Sequence, residues 1–238
     1  MTAEVLVKRL GVVPYLEAWR LQKELAEQRR RNGVPDVLLL LEHPPTYTRG
    51  RRSKPEELPM GVDWYEAQGI EVHDTDRGGL VTYHGPGQLV AYPIVDLGAY
   101  GDDIHAYVRG LERVIVGALA EAGVPAQTID GLTGVWTTGD PPPTLSPSPA
   151  RKIASIGLHV SRGVTTHGLA INVDNDLQPF EWIVPCGIEG AAMTSVAREV
   201  GGGPTVKAFS DLLVSHYADV FTRKPRDGAA VPGPFVKR

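Results

Sequence analysis

The chain has 238 residues, and its 42% hydrophobic and 22% charged residues are typical of a folded globular protein and exclude wholesale disorder. A formal net charge of −4 provides no overall attraction to nucleic acid, and the longest apolar run, at residues 37–41, is far too short to span a membrane. A chain of this length suits one large α/β domain. The single cysteine and the lack of a recognisable signal peptide predict the cytoplasm. We expect no nucleic-acid or membrane partner.

In chain order, the first predicted element is an amphipathic helix over residues 14–31, although Leu16 and Trp19 lie off its apolar stripe. Residues 37–41 form a continuous apolar run between prolines, which is typical of a strand buried on both faces. A second helix follows the capping residues Asp102 and Asp103, keeps its apolar positions in helical periodicity, and ends at Gly123.

Strand-like segments then follow without intervening helices, at residues 124–128, 134–137, 153–160 and 168–173, and a third helix is predicted at 206–222. This order predicts an α/β (α+β) fold with a mixed sheet flanked by helices. Residues 138–150 are rich in proline and serine, so we expect a flexible surface loop inserted into a hairpin. We therefore predict a single domain over residues 1–222 and a disordered tail at 223–238.

Cys186 is the only cysteine of the chain, and it therefore has no partner for an internal disulfide. Pro185 before it and Gly187 after it favour a defined loop over a helix. This setting makes Cys186 a candidate nucleophile. The alternative is a buried cysteine that acts as a small hydrophobic side chain, which is a common fate of free cysteine.

Residues 77–88 combine four glycines with donors and acceptors from Arg77, Thr82, Tyr83, His84 and Gln88. Such a segment is a poor core element, and its glycines allow a ligand to approach the backbone closely. It matches neither the Walker phosphate loop nor the dinucleotide-binding glycine pattern. We interpret it as a ligand-binding segment, with an elaborate turn as the alternative.

A second polar strip contains Lys152, which shares one face of its predicted strand with Ala154, Ile156 and Leu158. A lysine on an apolar face either reaches back to solvent, which is the usual outcome, or is desolvated. The small residues of this strand and of the next one leave space that suits either a flexible substrate chain or close strand packing. They are Ser155, Gly157, Gly168 and Ala170.

Two further clusters have weaker implications. The histidines at 43, 84, 159 and 167 lack the spacing of a metal motif, so no metal is predicted. The basic residues at 49–54 form either a solvated turn or a docking patch for an acidic protein.

Together these motifs resemble the lipoyl(octanoyl) transferase family, whose members are octanoyl-acyl carrier protein:protein octanoyltransferases. The similarity extends from about residue 37 to residue 196. The matching segments are residues 77–79, 82–88, 152–157, 167–172 and 185–187, with 42–45, 47–48 and 50–51 as further matches.

The resemblance implies the α/β fold of the biotin and lipoate protein ligase catalytic domains, and no cofactor or metal. It implies that octanoyl passes from acyl carrier protein through a Cys186 thioester to a lysine of a lipoyl domain, with Lys152 activating the thiol and moving protons. The implied acceptors are the lipoyl domains of 2-oxoacid dehydrogenase complexes and the glycine cleavage H protein. The substrate-binding residues it implies are Arg77, Gly78, Gly79, Leu80, Val81, Thr82, Tyr83, His84, Ser155, Ile156, Gly157, Gly168, Leu169 and Ala170.

Two other functions stay open. An ATP-dependent lipoate-protein ligase on a similar fold needs no cysteine nucleophile, and the pair of Cys186 and Lys152 argues against it. A non-catalytic acyl-binding protein would keep the pocket without turnover. An assay of transfer without ATP separates these alternatives.

Overall fold

The computed structural model describes residues 3–140, 149–183 and 192–228, whose strands form a mixed sheet of eight strands and a smaller sheet of three. The strands are β1 (Ala3–Val12), β2 (Asp36–Glu42), β3 (Thr46–Arg49), β4 (Glu71–Asp74), β5 (Thr82–His84), β6 (Gln88–Ile94), β7 (Ala126–Ile129), β8 (Leu132–Thr137), β9 (Lys152–Ser161), β10 (Val164–Asn172) and β11 (Arg223–Asp227). Their order is β11-β1-β2-β6-β10-β9-β8-β7 in the large sheet and β4-β3-β5 in the small one.

Strand β1 pairs in parallel with both β11 and β2, whereas the remaining neighbours in the large sheet are antiparallel. The predicted apolar strand is β2, whose leucines are buried because helices cover both faces of the sheet. A mixed sheet flanked by helices confirms the predicted fold class.

The helices are α1 (Tyr15–Arg30), α2 (Val62–Ala67), α3 (Ile104–Glu121), α4 (Gln178–Glu181), α5 (Val196–Val200) and α6 (Val206–Phe221). Helix α1 packs on one face of the large sheet through Ala18 and Leu25, and α3 and α6 share the core on the other face. The Asp103 carboxylate accepts hydrogen bonds from the first backbone N–H groups of α3, as its capping position predicts. The three long predicted helices are thus confirmed, with small differences at their ends.

The prediction of a disordered tail is wrong for residues 223–227. Residues 223–227 form β11, which pairs in parallel with β1 from Ala3 opposite Arg223 to Val7 opposite Asp227. Pro225 has no N–H to donate, but β11 is an edge strand, where a missing donor is tolerated. Residues 229–238 of the predicted tail lie outside the described residues.

The glycine-rich segment is more deeply buried than its composition indicates. It contains β5 and the beginning of β6, and Val81, Tyr83 and Gln88 are 1%, 4% and 2% exposed. The prediction of a poor core element is therefore wrong for residues 82–84 and 88, because neighbouring strands pair with the backbone of these residues. Strand β6 was not predicted from the sequence. It contains Pro93, and proline is unusual in a central strand.

Strands β8 and β9 pair antiparallel on either side of the predicted loop, but residues 141–148 of that loop lie outside the described residues. Its flexibility and the single-domain organisation over residues 1–222 therefore stay predictions. Within the described ranges, no helix combines the length and the apolar character that crossing a membrane requires.

Candidate active site

A cavity of about 370 Å³ lies where the glycine-rich segment meets β9 and β10. The start of α3 and the turn between β7 and β8 complete its walls. Small-molecule sites generally have volumes of roughly 300–1,000 Å³, so the cavity suits a small ligand or part of a larger one.

With the exception of Tyr83, the predicted substrate-binding residues all line this cavity, and Lys152 lines it with them. They are Arg77, Gly78, Gly79, Leu80, Val81, Thr82, His84, Ser155, Ile156, Gly157, Gly168, Leu169 and Ala170. Cys186 lies outside the described residues. The fold thus gathers residues that are far apart in sequence, while their contacts with substrate stay predictions.

Tyr83 belongs to a different environment. Successive side chains of a strand point to opposite faces, so Tyr83 faces away from the cavity that Thr82 and His84 line. Its ring packs 5.5 Å from the ring of Tyr47 and 5.5 Å from that of Phe180, measured between centroids. The structure therefore places Tyr83 in the core beside the small sheet.

The glycine-rich edge of the cavity is held against β9 at a close distance. Gly78 N donates a hydrogen bond to Leu158 O at 3.1 Å. A Cβ atom on Gly157 would lie 2.8 Å from Gly78 O, so a larger residue at 157 would push the two backbones apart. The buried Arg77 guanidinium donates to Thr48 O at 2.6 Å and fixes the beginning of the same segment.

Lys152 is buried, with 4% of its surface exposed, and it does not reach solvent as lysines on apolar faces usually do. Its Nζ lies 5.3 Å from the centroid of the buried Trp136 ring. Its backbone N donates to Ala192 O at 2.8 Å, and its backbone O accepts from Thr194 N at 2.9 Å. The chain that follows Cys186 therefore re-enters the described structure directly beside Lys152.

Hydrogen bonds fix the tautomers of two histidines near the cavity. His43 Nδ1 lies 2.6 Å from Val13 O, which only accepts, so Nδ1 carries the proton and Nε2 accepts from the Tyr92 hydroxyl at 2.7 Å. His84 Nδ1 lies 2.7 Å from Gln88 Oε1 and donates to it. Because His84 is deeply buried and its neutral form predominates, His84 Nε2 carries a lone pair.

Burial keeps these imidazoles neutral at pH 7. It lowers the pKa of His43 to about 4, because the buried site disfavours the charged ring. Burial also lowers the pKa of His84 well below its ordinary value, and the neighbouring His43 adds to this. The pKa of His167 is lowered by burial as well, against the opposing effect of the Asp76 carboxylate. Among the described residues, no group of three or more potential metal-binding side chains is placed to share an ion.

These buried histidines lead us to expect a loss of stability in mild acid. A histidine whose pKa is lowered by folding is protonated first in the unfolded chain, so its contribution is present above pH about 6.5 and falls as the pH decreases toward the folded pKa. For His43, the change of the pKa from 6.5 to about 4 corresponds to about 3 kcal/mol in the free energy of unfolding.

Urea unfolding between pH 4 and pH 6.5 measures this decrease in the free energy of unfolding, and His43→Asn should make the decrease smaller. His105→Asn, at an exposed histidine, is the matched control. An unchanged pH slope in His43→Asn would contradict the assignment.

Several cavity residues were not predicted from the sequence. Tyr15 and Tyr92 come from α1 and β6, in segments whose apolar neighbours gave no indication of a site. His167 was recognised only as part of a motif; its Nε2 donates to Asp76 Oδ1 at 2.6 Å, and its backbone φ is 55°. The others are Arg52, Ile104, His105, Val108, Gly131, Leu132, Thr133 and Leu158.

Comparison with protein families matches residues 14–218 to the lipoyl protein ligase A/B catalytic domain. An octanoyltransferase from Chloroflexus aggregans is 46% identical over 220 residues, which cover 92% of this chain and 96% of that protein. An octanoyltransferase from Mycolicibacterium smegmatis is 45% identical over 213 residues, which cover 90% of this chain and 87% of that protein.

Solved structures agree with the fold. A bi-partite lipoate protein ligase from Thermoplasma acidophilum has a TM-score of 0.74 at 18% identity, covering 97% of this chain and 88% of that one. A biotin protein ligase from Aquifex aeolicus, in complex with biotin and ATP, has a TM-score of 0.52 at 14% identity, and the match covers 92% of this chain and 70% of that one. Likeness at such low identity concerns the fold alone, whereas the sequence relatives also define the family. The chain belongs to the lipoyl protein ligase A/B catalytic domain family and, within it, to the octanoyltransferases.

Proposed function

We propose that this protein transfers octanoyl groups in protein lipoylation, from an acyl carrier protein to a lysine of a lipoyl domain. The observation that carries the proposal is the 46% identity to an octanoyltransferase over 92% of the chain. The proposed acceptors are the lipoyl domains of 2-oxoacid dehydrogenase complexes and the glycine cleavage H protein.

Cys186 is the proposed nucleophile of a two-step transfer. In the first step its thiolate attacks the thioester carbonyl of the donor, a new carbon–sulfur bond forms, and the carrier leaves as a thiol. In the second step the neutral amine of the acceptor lysine attacks the Cys186 thioester, an amide forms, and the Cys186 thiol is released. The first exchange is nearly balanced and the second runs downhill, so neither step requires ATP.

Lys152 is the proposed proton carrier for both steps. It accepts the proton of the Cys186 thiol and delivers it to the departing carrier thiolate. Later it accepts the proton that the attacking amine loses and returns it to Cys186. Its burial, its position in the cavity wall and its backbone pairing with Ala192 and Thr194 support this role.

The apolar part of the cavity is the proposed site for the octanoyl chain. Burying a methylene group contributes about 0.8 kcal/mol, so the six methylenes of octanoyl can contribute about 5 kcal/mol. The aliphatic side chains that line the cavity are Leu80, Val81, Ile104, Val108, Leu132, Ile156, Leu158, Leu169 and Ala170.

The direct test mixes the purified protein with octanoyl acyl carrier protein and a lipoyl domain, in the presence and absence of ATP. Mass spectrometry of the lipoyl domain should show the octanoyl group in both mixtures and to the same extent. Transfer that requires ATP would instead support a lipoate-protein ligase. Octanoyl that stays bound to this protein without transfer would support an acyl-binding protein.

The basic turn at residues 49–54 is attached to the cavity edge. Arg51 N donates to Arg77 O at 3.0 Å, and Arg52 N donates to Gly79 O at 3.2 Å, while both arginine side chains are exposed. This position supports contact with an acidic surface of the carrier protein.

Reversing both charges, with Arg51→Glu and Arg52→Glu, should therefore weaken carrier binding roughly 10-fold or more at low salt and flatten its salt dependence. Binding measured across a salt series tests this expectation. The control is the pair Lys207→Glu and Lys224→Glu, which changes the net charge equally at exposed positions on α6 and β11. Equal effects of the two pairs would show that the turn has no special part in docking.

A further inference from the structure

Glu112 is a completely buried carboxylate on α3, and its two oxygens have different partners. Oε2 accepts from the half-exposed Arg109 guanidinium at 2.8 Å, and Oε1 accepts from the backbone N of Gly134 at 3.0 Å. A buried carboxylate is costly unless such bonds compensate it. The bond to Gly134 connects the middle of α3 to the beginning of β8.

Gly134 lies directly against the side chain of Lys152. A Cβ atom on Gly134 would lie 2.9 Å from Lys152 Cε and 3.5 Å from Lys152 Nζ. The same atom would lie 2.5 Å from Ala154 O. With a φ of 120°, Gly134 also has a backbone conformation that other residues rarely adopt. Because Gly134 has no side chain, the side chain of Lys152 can pack directly against its backbone.

Strand β8 loses its pairing with β9 near this glycine. The paired residues are Val135 with Ala154 and Trp136 with Lys152, with a register shift between the two pairs. Gly134 directs its N–H toward Glu112. Helix α3 thus holds β8 at the position where the strand passes the Lys152 amine.

We infer that Glu112 is a positioning residue for Lys152, acting through its hydrogen bond to Gly134. This inference rests on the proposed role of Lys152 in activating Cys186. The carboxylate holds the Gly134 backbone, and this backbone limits where Lys152 Nζ can lie. Without the bond, β8 can shift at Gly134 and the amine loses its fixed position.

The test uses the rate at which iodoacetamide alkylates the single cysteine, measured as a function of pH. Because the thiolate is the reactive form, the midpoint of this profile reports how well Lys152 activates Cys186. Lys152→Met serves as the reference, since it removes the amine and keeps the length of the side chain. A change in global stability alone does not move this midpoint.

Two substitutions separate the hydrogen bond from the charge. Glu112→Asp keeps the charge but is one methylene too short to reach Gly134 N, whereas Glu112→Gln keeps an oxygen at the right length and loses the charge. We expect Glu112→Asp to raise the midpoint toward that of Lys152→Met, by about one pH unit or a tenfold lower rate at neutral pH. Glu112→Gln should stay close to the unaltered protein. Arg109→Ala, which spares the Gly134 bond, is the control and should leave the midpoint unchanged.

The outcomes distinguish the inference from the proposed function. If Lys152→Met raises the midpoint and Glu112→Asp does not, the positioning role of Glu112 is overturned and the role of Lys152 stands. If Glu112→Gln raises it as much as Glu112→Asp, the charge and not the bond is responsible, which also overturns the inference. If Lys152→Met has no effect, both the proposed role of Lys152 and the inference fail. Should Glu112→Asp fail to fold, Glu112→Met compared with Glu112→Gln provides the same test, because both side chains are uncharged and of similar length and only glutamine keeps an acceptor for Gly134 N.

Discussion

Replacing Cys186 with serine is expected to abolish octanoyl transfer, with a loss of roughly 10⁴-fold or more, as for other essential nucleophiles. A hydroxyl has a far higher pKa than a thiol, so a lysine that activates a thiol leaves serine protonated and unreactive. The acyl-enzyme should disappear together with transfer. Both effects are measured by following octanoyl on this protein and on a lipoyl domain over time.

Circular dichroism provides the control for this substitution, because serine is close to cysteine in size and should preserve the fold. Substantial residual transfer by folded Cys186→Ser would rule out the covalent route. In that case the amine of the acceptor would attack the donor thioester directly, with this protein acting only to bring them together.

Removing the amine of Lys152 is the substitution with the second-largest expected effect. General acid–base groups typically contribute 10²- to 10⁴-fold, so Lys152→Ala and Lys152→Met should slow acylation of Cys186 by roughly that factor. Rapid-quench measurement of acyl-enzyme formation from octanoyl acyl carrier protein isolates this step. The fold should survive, because neither substitution introduces a charge or a new polar group at this buried position.

Lys207→Met, at an exposed lysine on α6, controls for the loss of one positive charge. Acylation by Lys152→Met at the rate of the unaltered protein would remove Lys152 from the mechanism. Slow acylation with a normal second step would restrict the role of Lys152 to the first half-reaction.

The sequence predicted those parts of the fold in which local patterns agree with tertiary burial. The leucine run of β2 is buried on both faces, as a continuous apolar run predicts. Helix α3 combines a capping aspartate with a regular apolar stripe, so both its beginning and its buried face were predicted. The small residues of β9 and β10 indicated space beside the strands, and Gly157 does allow the close approach of Gly78.

Contacts between segments that are distant in the sequence were harder to predict. The pairing of β11 with β1 joins the two ends of the described chain, and no local pattern reveals such a partner. Tyr83 was assigned to the site with its neighbours, although the alternation of β5 turns it the other way. Tyr15 and Tyr92 reach the cavity from helix and strand positions that resemble ordinary core positions.

The contact of Glu112 with Gly134, at the candidate site itself, could not be predicted from local patterns either. In the sequence, Glu112 follows Arg109 by three positions, a spacing that is also common for exposed ion pairs on helices. Only the packing of α3 against β8 shows that the carboxylate is buried and holds the backbone beside Lys152. Periodicity identifies the face of a helix but does not identify what that face touches.

The most direct test of the proposed thioester mechanism is intact mass spectrometry of the protein mixed with octanoyl acyl carrier protein in the absence of ATP. We expect an octanoyl adduct, located on Cys186 by peptide mapping, that disappears as an added lipoyl domain gains the same mass. No adduct and no transfer until ATP is supplied would contradict the thioester mechanism.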